Sequence, residues 1–261
     1  MKTIIVRGAG DLATGIIQKL YNSGFKVIAL ETDKPTAIRR KVSLSEAVYD
    51  GEAVVEDVTA KLTSIQDAVE GNGVFVVVDP EMSILEHIKP FAVVDSILAK
   101  KNLGTKIEHS DIVVGVGPGF TAGVDCHAVV ETKRGHNLGR IYYEGSAIEN
   151  TGIPGLIGGE SDRRVLHSPK EGIMDNAVSI GDVVTKGDLM FTVAEQKVYA
   201  PFTGVVRGII RYGFFVKEGM KVADIDPRGD QIENCETISD KARTIAGGVL
   251  EAVLRLSEVV R

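Results

Sequence analysis

Ile4-Ile5-Val6-Arg7-Gly8-Ala9-Gly10-Asp11-Leu12-Ala13-Thr14-Gly15 is the stretch on which the fold turns. Three apolar residues run into Arg7 and a glycine turn. Leu12, Ala13, Ile16, Ile17 and Leu20 then recur at helical spacing, which gives strand, turn and helix in that order. Asn22-Ser23-Gly24 stops the helix, because glycine takes the left-handed cap conformation without a Cβ penalty. Val27 to Leu30 is the next apolar run and closes at Glu31. The alternation continues through Val54-Val55, a helical stretch from Val58 to Val69, Val74 to Val78 with Asp79-Pro80 behind it, Phe91 to Val94, and Ile112 to Val116. Unbroken apolar strands separated by helices predict an α/β fold with a parallel sheet covered on both faces.

Within that frame Gly8, Gly10 and Ala13 fit G-x-G-x-x-[G/A], and Glu31 stands 21 residues after Gly10 at a strand end, the place of a ribose-binding acid in a Rossmann-like domain. Glycines let the backbone approach a diphosphate, and the helix start offers unpaired N–H groups with about half a positive charge. The expected ligand is of nucleotide type; the alternative is a plain tight turn. Asp11 would repel a diphosphate unless it caps the helix or works on the substrate, and both options stay open.

Twelve of the 29 glycines fall between Gly104 and Gly159, so something approaches the main chain closely there. Gly117 and Gly119 follow the strand ending at Val116. Lys100-Lys101-Asn102-Leu103-Gly104-Thr105 is read as the close of a helix. Both segments are candidate phosphate loops, the first through backbone N–H groups and the second through lysine charge. Strand alternation would put Asp125, His127, Val129 and Glu131 on one face, with His136 near enough to join. These carboxylates and imidazoles suit proton transfer or a divalent metal, whereas an exposed edge strand explains the same alternation. Arg134 offers a guanidinium fork for phosphate.

After Ser168-Pro169 short β runs replace the alternation. Val178-Ser179-Ile180-Gly181 leads to Gly187, and Ile210-Arg211-Tyr212-Gly213 leads to Gly219, an internal repeat at an offset of 32 residues. Two such hairpin units around Ala200-Pro201-Phe202-Thr203-Gly204 resemble a biotinyl or lipoyl-type barrel-sandwich module. Lys197 lacks the carrier context of those modules, so covalent biotin or lipoate is not expected. Ala242, Ile245, Ala246, Val249, Leu250, Val253 and Leu254 predict a C-terminal helix, capped by Ser239 and packed on the N-terminal domain. The expected division is 1–124 for the Rossmann-like domain, 125–167 for a glycine-rich connector, 168–228 for the barrel-sandwich domain and 229–261 for the C-terminal helix.

The 261 residues are 44% hydrophobic, 25% charged and 5% aromatic, with two cysteines and no tryptophan, which excludes a disordered or disulfide-stapled chain. A net charge of −6 offers no general attraction to nucleic acid or anionic membrane. The apolar run after Met1-Lys2-Thr3 is too short for a signal peptide, so a cytoplasmic protein is expected, with Cys126 and Cys235 reduced.

Taken together, Arg7 to Gly15, Gly117-Pro118-Gly119-Phe120-Thr121-Ala122-Gly123, Glu131-Thr132-Lys133-Arg134-Gly135-His136 and Asp226-Pro227-Arg228 resemble the selenium-dependent molybdenum hydroxylase accessory protein family. The resemblance implies a bacterial maturation factor whose partner is a molybdenum hydroxylase apo-enzyme. It would bind a nucleotide or the molybdopterin cofactor and assist selenium insertion. Gly8, Gly10, Gly117 and Gly119 would contact the ligand, with Arg134, Lys101 and Asn102 at its phosphates. Asp125, His127, Glu131 and His136 would handle protons or selenium transfer, and Cys126 or Cys235 could carry selenium. The alternatives are an NAD(P)-dependent oxidoreductase and a noncatalytic scaffold that presents cofactor. A homo-oligomer is compatible with all three.

Overall fold

The computed structural model describes residues 1–150, 152 and 156–259, with only the backbone of Val259. Gly155 of the glycine-rich middle, and Val260 and Arg261 of the C-terminal segment, lie outside them. The chain forms two compact units. One comprises Met1–Pro35, Ser43–Thr151 and Ile238–Arg261; the other comprises Thr36–Val42 and Gly152–Thr237.

The first unit begins with β1 (Thr3–Arg7), α1 (Asp11–Asn22) and β2 (Lys26–Glu31), as the periodicity predicts. After α2 (Ala47–Asp50), the stretch expected as one helix from Val58 to Val69 divides. A hairpin of β3 (Glu52–Val55) and β4 (Val58–Leu62) precedes the short α3 (Ile65–Glu70). The reason is local. Glu56 takes φ +51 at the turn, Val58 and Ala60 point inward while Thr59 and Lys61 point out, and Ser64 caps α3 through the Asp67 amide. Then follow β5 (Val74–Val78), β6 (Ala92–Asp95), β7 (Val113–Val116), β8 (Thr121–Ala122), β9 (Ala128–Val130), β10 (Ile141–Tyr142) and β11 (Gly145–Ser146).

Nine strands make one sheet in the order β10-β9-β7-β6-β1-β2-β5-β4-β3, parallel throughout except for β10 and β3 at its edges. Ile5, Ile28, Val93, Val113 and Val129 point to one face and pack with Met82, Ile84, Phe120 and Cys126. A fully buried aliphatic chain of this kind contributes about 1.5–3 kcal/mol. The opposite face lies under α1 and the last helix, α4 (Asp240–Val259), which packs on α1, β7, β9 and β10. The Ser239 hydroxyl accepts the Ala242 amide at 3.2 Å, the expected cap. Gly15 lets the two helices touch, since a Cβ there would lie 2.9 Å from the Ala242 Cβ, and Gly248 admits the Gly139 carbonyl.

The second unit turns the sequence repeat into architecture. After β12 (Val165–His167) come β13 (Gly172–Asn176), β14 (Val183–Val184), β15 (Leu189–Val193), β16 (Gln196–Tyr199), β17 (Gly204–Ile209), β18 (Phe215–Val216) and β19 (Lys221–Asp226). The triplet β13, β14, β15 recurs 32 residues later as β17, β18, β19. Each short strand pairs with the long strand of the other copy, β14 with β17 and β18 with β13. The two four-stranded antiparallel sheets, β12-β19-β17-β14 and β16-β15-β13-β18, share a core around Met174, Phe191, Val206 and Ile225. Among the described residues no helix is long and apolar enough to cross a membrane.

Candidate functional site at the carboxyl edge of the sheet

The chain order of the parallel strands reverses between β1 and β6, the switch point at whose carboxyl edge open parallel sheets take their ligands. A buried polar knot lies there. The Arg7 guanidinium, 5% exposed, donates to Asp95 and Thr105, both at 3.1 Å, and to the carbonyls of Pro80 and Leu103, both at 3.0 Å. Thr105 in turn donates to Asp95 at 2.6 Å. Arg7 therefore fastens two strands to two loops.

Above it the glycine turn is held from behind, with the Ala9 carbonyl accepting the Ser45 amide at 2.8 Å and the Thr14 hydroxyl at 3.2 Å. Gly8 takes φ +95, and a Cβ there would lie 3.3 Å from the Ile97 backbone, so this position requires glycine. Gly10 differs. It is the N-cap of α1 in an extended conformation, has no side chain to cap the helix, and a Cβ there would meet nothing within 4 Å. Asp11 turns its carboxylate onto the Leu12 amide at 2.8 Å, a helix-start contact. Glu31 bends back to accept the Ala9 amide at 2.7 Å and the Thr32 amide at 3.1 Å. Burial pushes its carboxyl above the usual range, with those two bonds pulling the other way.

The segment from Ser96 to Lys101 links the two glycine stretches. Ile97 lies against Gly8, Leu98 against Gly117 and Lys101 against Gly119. Gly8, Gly10, Asp11, Glu31, Gly117 and Gly119 therefore share one edge. Gly117 and Gly119 make room for protein, however. Cβ atoms there would lie 2.8 Å from the Thr132 hydroxyl and 2.6 Å from the Lys101 Cα. Lys100 to Thr105 closes no helix, since the chain is irregular there. Asn102 organises it by accepting the Gly104 and Thr105 amides and donating to Asp125. Lys101 is exposed.

Asp125, His127, Glu131 and His136 do not form one cluster. Only Ala128 to Val130 is strand, so the expected alternation breaks down. Asp125 sits in a turn, where it accepts the Thr121 amide at 2.8 Å. His127 lies at the amino edge of the sheet, its Nδ1 accepting the Val113 amide at 3.0 Å. Burial lowers its pKa against the pull of Asp111. At a strand rise of about 3.3 Å per residue, Glu131 is about 13 Å away at the other edge. Glu131 is fully buried and accepts the amides of Thr132, Lys133 and Ile148. His136 is exposed. Among the described residues no three His, Cys, Asp or Glu side chains are placed to share a metal ion. Arg134 forks onto Asp240 at 2.8 and 3.0 Å.

Burial pushes the Cys126 thiol up to about 11 and raises that of Cys235, opposite to what a selenium-carrying thiol requires. One residue to which the sequence reading gives no site role belongs at this edge: Lys241, half-buried in the first turn of α4, with Asp11 and Glu131 in its electrostatic surroundings. Its approach to residues some 230 positions earlier leaves no local signal. A separate cavity opens at the amino edge between Lys2, Val69, Lys89, Phe91 and Asp111.

No family model matches the chain. It is 51% identical over 257 residues to a protein of Escherichia coli K12 described as uncharacterized protein YqeB, covering 97% of this chain and 47% of that protein. The chain thus spans about half the length of the curated relative it matches. Among solved structures it aligns with a succinylglutamate desuccinylase from a Silicibacter species and with an aspartoacylase family protein from Mesorhizobium loti. Each shows 12% identity, 86% of this chain and 84% of the other covered, and a TM-score of 0.27. The ectoine utilization protein EutE of Ruegeria pomeroyi aligns at 21% identity over 32% of this chain and 27% of its own, with a TM-score of 0.23. These findings overturn the resemblance drawn from the sequence. None of the proteins named above is described as a molybdenum hydroxylase maturation factor, and that role, selenium insertion and the hydroxylase apo-enzyme as partner are withdrawn. TM-scores this low carry no argument for the chemistry of the aligned proteins in this chain.

Proposed function

We propose that the α/β unit binds a nucleotide, with its phosphates over the turn from Gly8 to Leu12. One observation carries this reading. Leaving out β4, a seventh parallel strand that joins beyond β5, the strands β5-β2-β1-β6-β7-β9 follow the order 3-2-1-4-5-6 of Rossmann dinucleotide-binding domains, with the glycine turn at the switch point between β1 and β6. The uncapped start of α1 attracts negative charge, and Gly10 leaves room for it. Glu31, at the end of β2, would accept ribose hydroxyls. The second unit is read as a barrel-sandwich module without a carrier lysine: Ala194 and Glu195 form the hairpin tip between β15 and β16, while Lys197 lies within β16 opposite Thr192.

Calorimetric titration of ADP and NAD⁺ into wild-type protein and Gly10→Val tests the reading. An extended backbone and open space let valine enter without disturbing the fold. The expected result is binding by the wild type, weakened at least about tenfold in the variant, with a urea midpoint lowered by no more than the loss of an N-cap glycine costs, about 1 kcal/mol. A wild-type protein that binds neither ligand would refute it.

A further inference from the structure

Among the described residues, Lys241 is a half-buried cation at the carboxyl edge that the fold leaves unmatched. Ala242, the next residue, packs on Gly15, so the first turn of α4 lies alongside the start of the second turn of α1. Among the described residues the Lys241 ammonium has no hydrogen-bond or ion-pair partner, and the carboxylates around it are engaged elsewhere. Asp240 is held by Arg134, Glu131 by three backbone amides, and Asp11 takes the Leu12 amide. Burial lowers the Lys241 pKa, with Arg134 adding to the effect and Asp11, Glu131 and Asp240 opposing it. A partly desolvated ammonium without a paired carboxylate is costly unless an anion completes it.

Resting on the nucleotide reading above, we propose that Lys241 is the cationic anchor for the ligand's diphosphate. It would take the part expected of Arg134, which is committed to Asp240, and of Lys101, which is exposed. It would also offset Asp11, whose charge otherwise opposes an anion at this turn. The ligand class is thereby narrowed to diphosphate-bearing nucleotides.

ADP is titrated into wild-type protein, Lys241→Met and Lys241→Arg, alongside urea unfolding without ligand. The expected result is at least about a tenfold loss of ADP affinity in Lys241→Met, partial recovery in Lys241→Arg, and unchanged midpoints. In the wild type, ADP should shield Lys241 from acetylation read by mass spectrometry, a test that needs no variant. Wild-type binding with Lys241→Met unaffected, or Lys241 acetylated equally with and without ADP, overturns the anchor role alone. A lowered ligand-free midpoint with unaltered affinity does the same and makes Lys241 a countercharge to Glu131. A silent wild-type titration removes the nucleotide reading and this proposal with it.

Discussion

Three helical glycines respond oppositely to the same substitution. In a helix interior Gly→Ala gains about 0.8–1.0 kcal/mol from propensity. At Gly247 a Cβ would meet nothing within 4 Å, so Gly247→Ala should realise that gain. At Gly15 the new methyl would lie 2.9 Å from the Ala242 Cβ and 3.2 Å from its backbone carbonyl. Carbon contacts are optimal at about 3.5–4.0 Å, so the helices must separate. Overpacking costs about 1–3 kcal/mol, which leaves Gly15→Ala destabilised by up to about 2 kcal/mol after the propensity gain. At Gly248 the methyl would press on the Gly139 carbonyl and come within 3.0 Å of Val130. Neither the strand nor that carbonyl is free to move aside, so Gly248→Ala falls at the severe end. Urea unfolding followed by circular dichroism should order the midpoints as Gly247→Ala, wild type, Gly15→Ala, Gly248→Ala, from highest to lowest. If Gly15→Ala and Gly248→Ala were as stable as Gly247→Ala, the docking of α4 described here would be wrong.

Arg7→Met strands Asp95, 2% exposed, without its cation and should cost about 3–5 kcal/mol; Arg7→Met combined with Asp95→Leu should lose less, as a double-mutant comparison of urea midpoints would show. Native Cys126 and Cys235 should resist alkylation at neutral pH and react only on unfolding, followed by mass spectrometry. Because the folded Cys126 pKa, about 11, lies above the ordinary thiol value of 9.0, its contribution is present below pH 9 and lost as pH rises towards 11. A linkage of about 2–3 kcal/mol should therefore appear in wild-type midpoints over that range and vanish in Cys126→Ala.

Legibility in the sequence followed the range of the forces involved. The turn from Arg7 to Ala13, the end of α1 at Gly24 and the Ser239 cap are set within a few residues, and they stand where the residues put them. The 32-residue repeat was legible because each copy keeps its own turn glycines. The hairpin from β3 to β4 was missed because Glu56-Asp57 carries no Gly or Pro to announce a turn, and Val58, Ala60 and Leu62 run into the apolar positions of α3. Gly117 and Gly119 illustrate an ambiguity of the residue itself: a missing side chain makes room equally for a ligand or for Thr132 and Lys101. Asp125 and His127 would be neighbours on one face only in a strand that began before Ala128. Lys241 reaches the site through the packing of α4 on α1, which no local pattern encodes.

Backbone NMR of the wild-type protein during addition of ADP tests the central claim most directly. The amides of Ala9, Gly10, Asp11 and Leu12 should shift saturably, with Thr32 following as Glu31 is drawn to the ribose. Shifts confined to residues around the amino-edge cavity, such as Val69, Ile88 and Asp111, or no shifts at all, would contradict it.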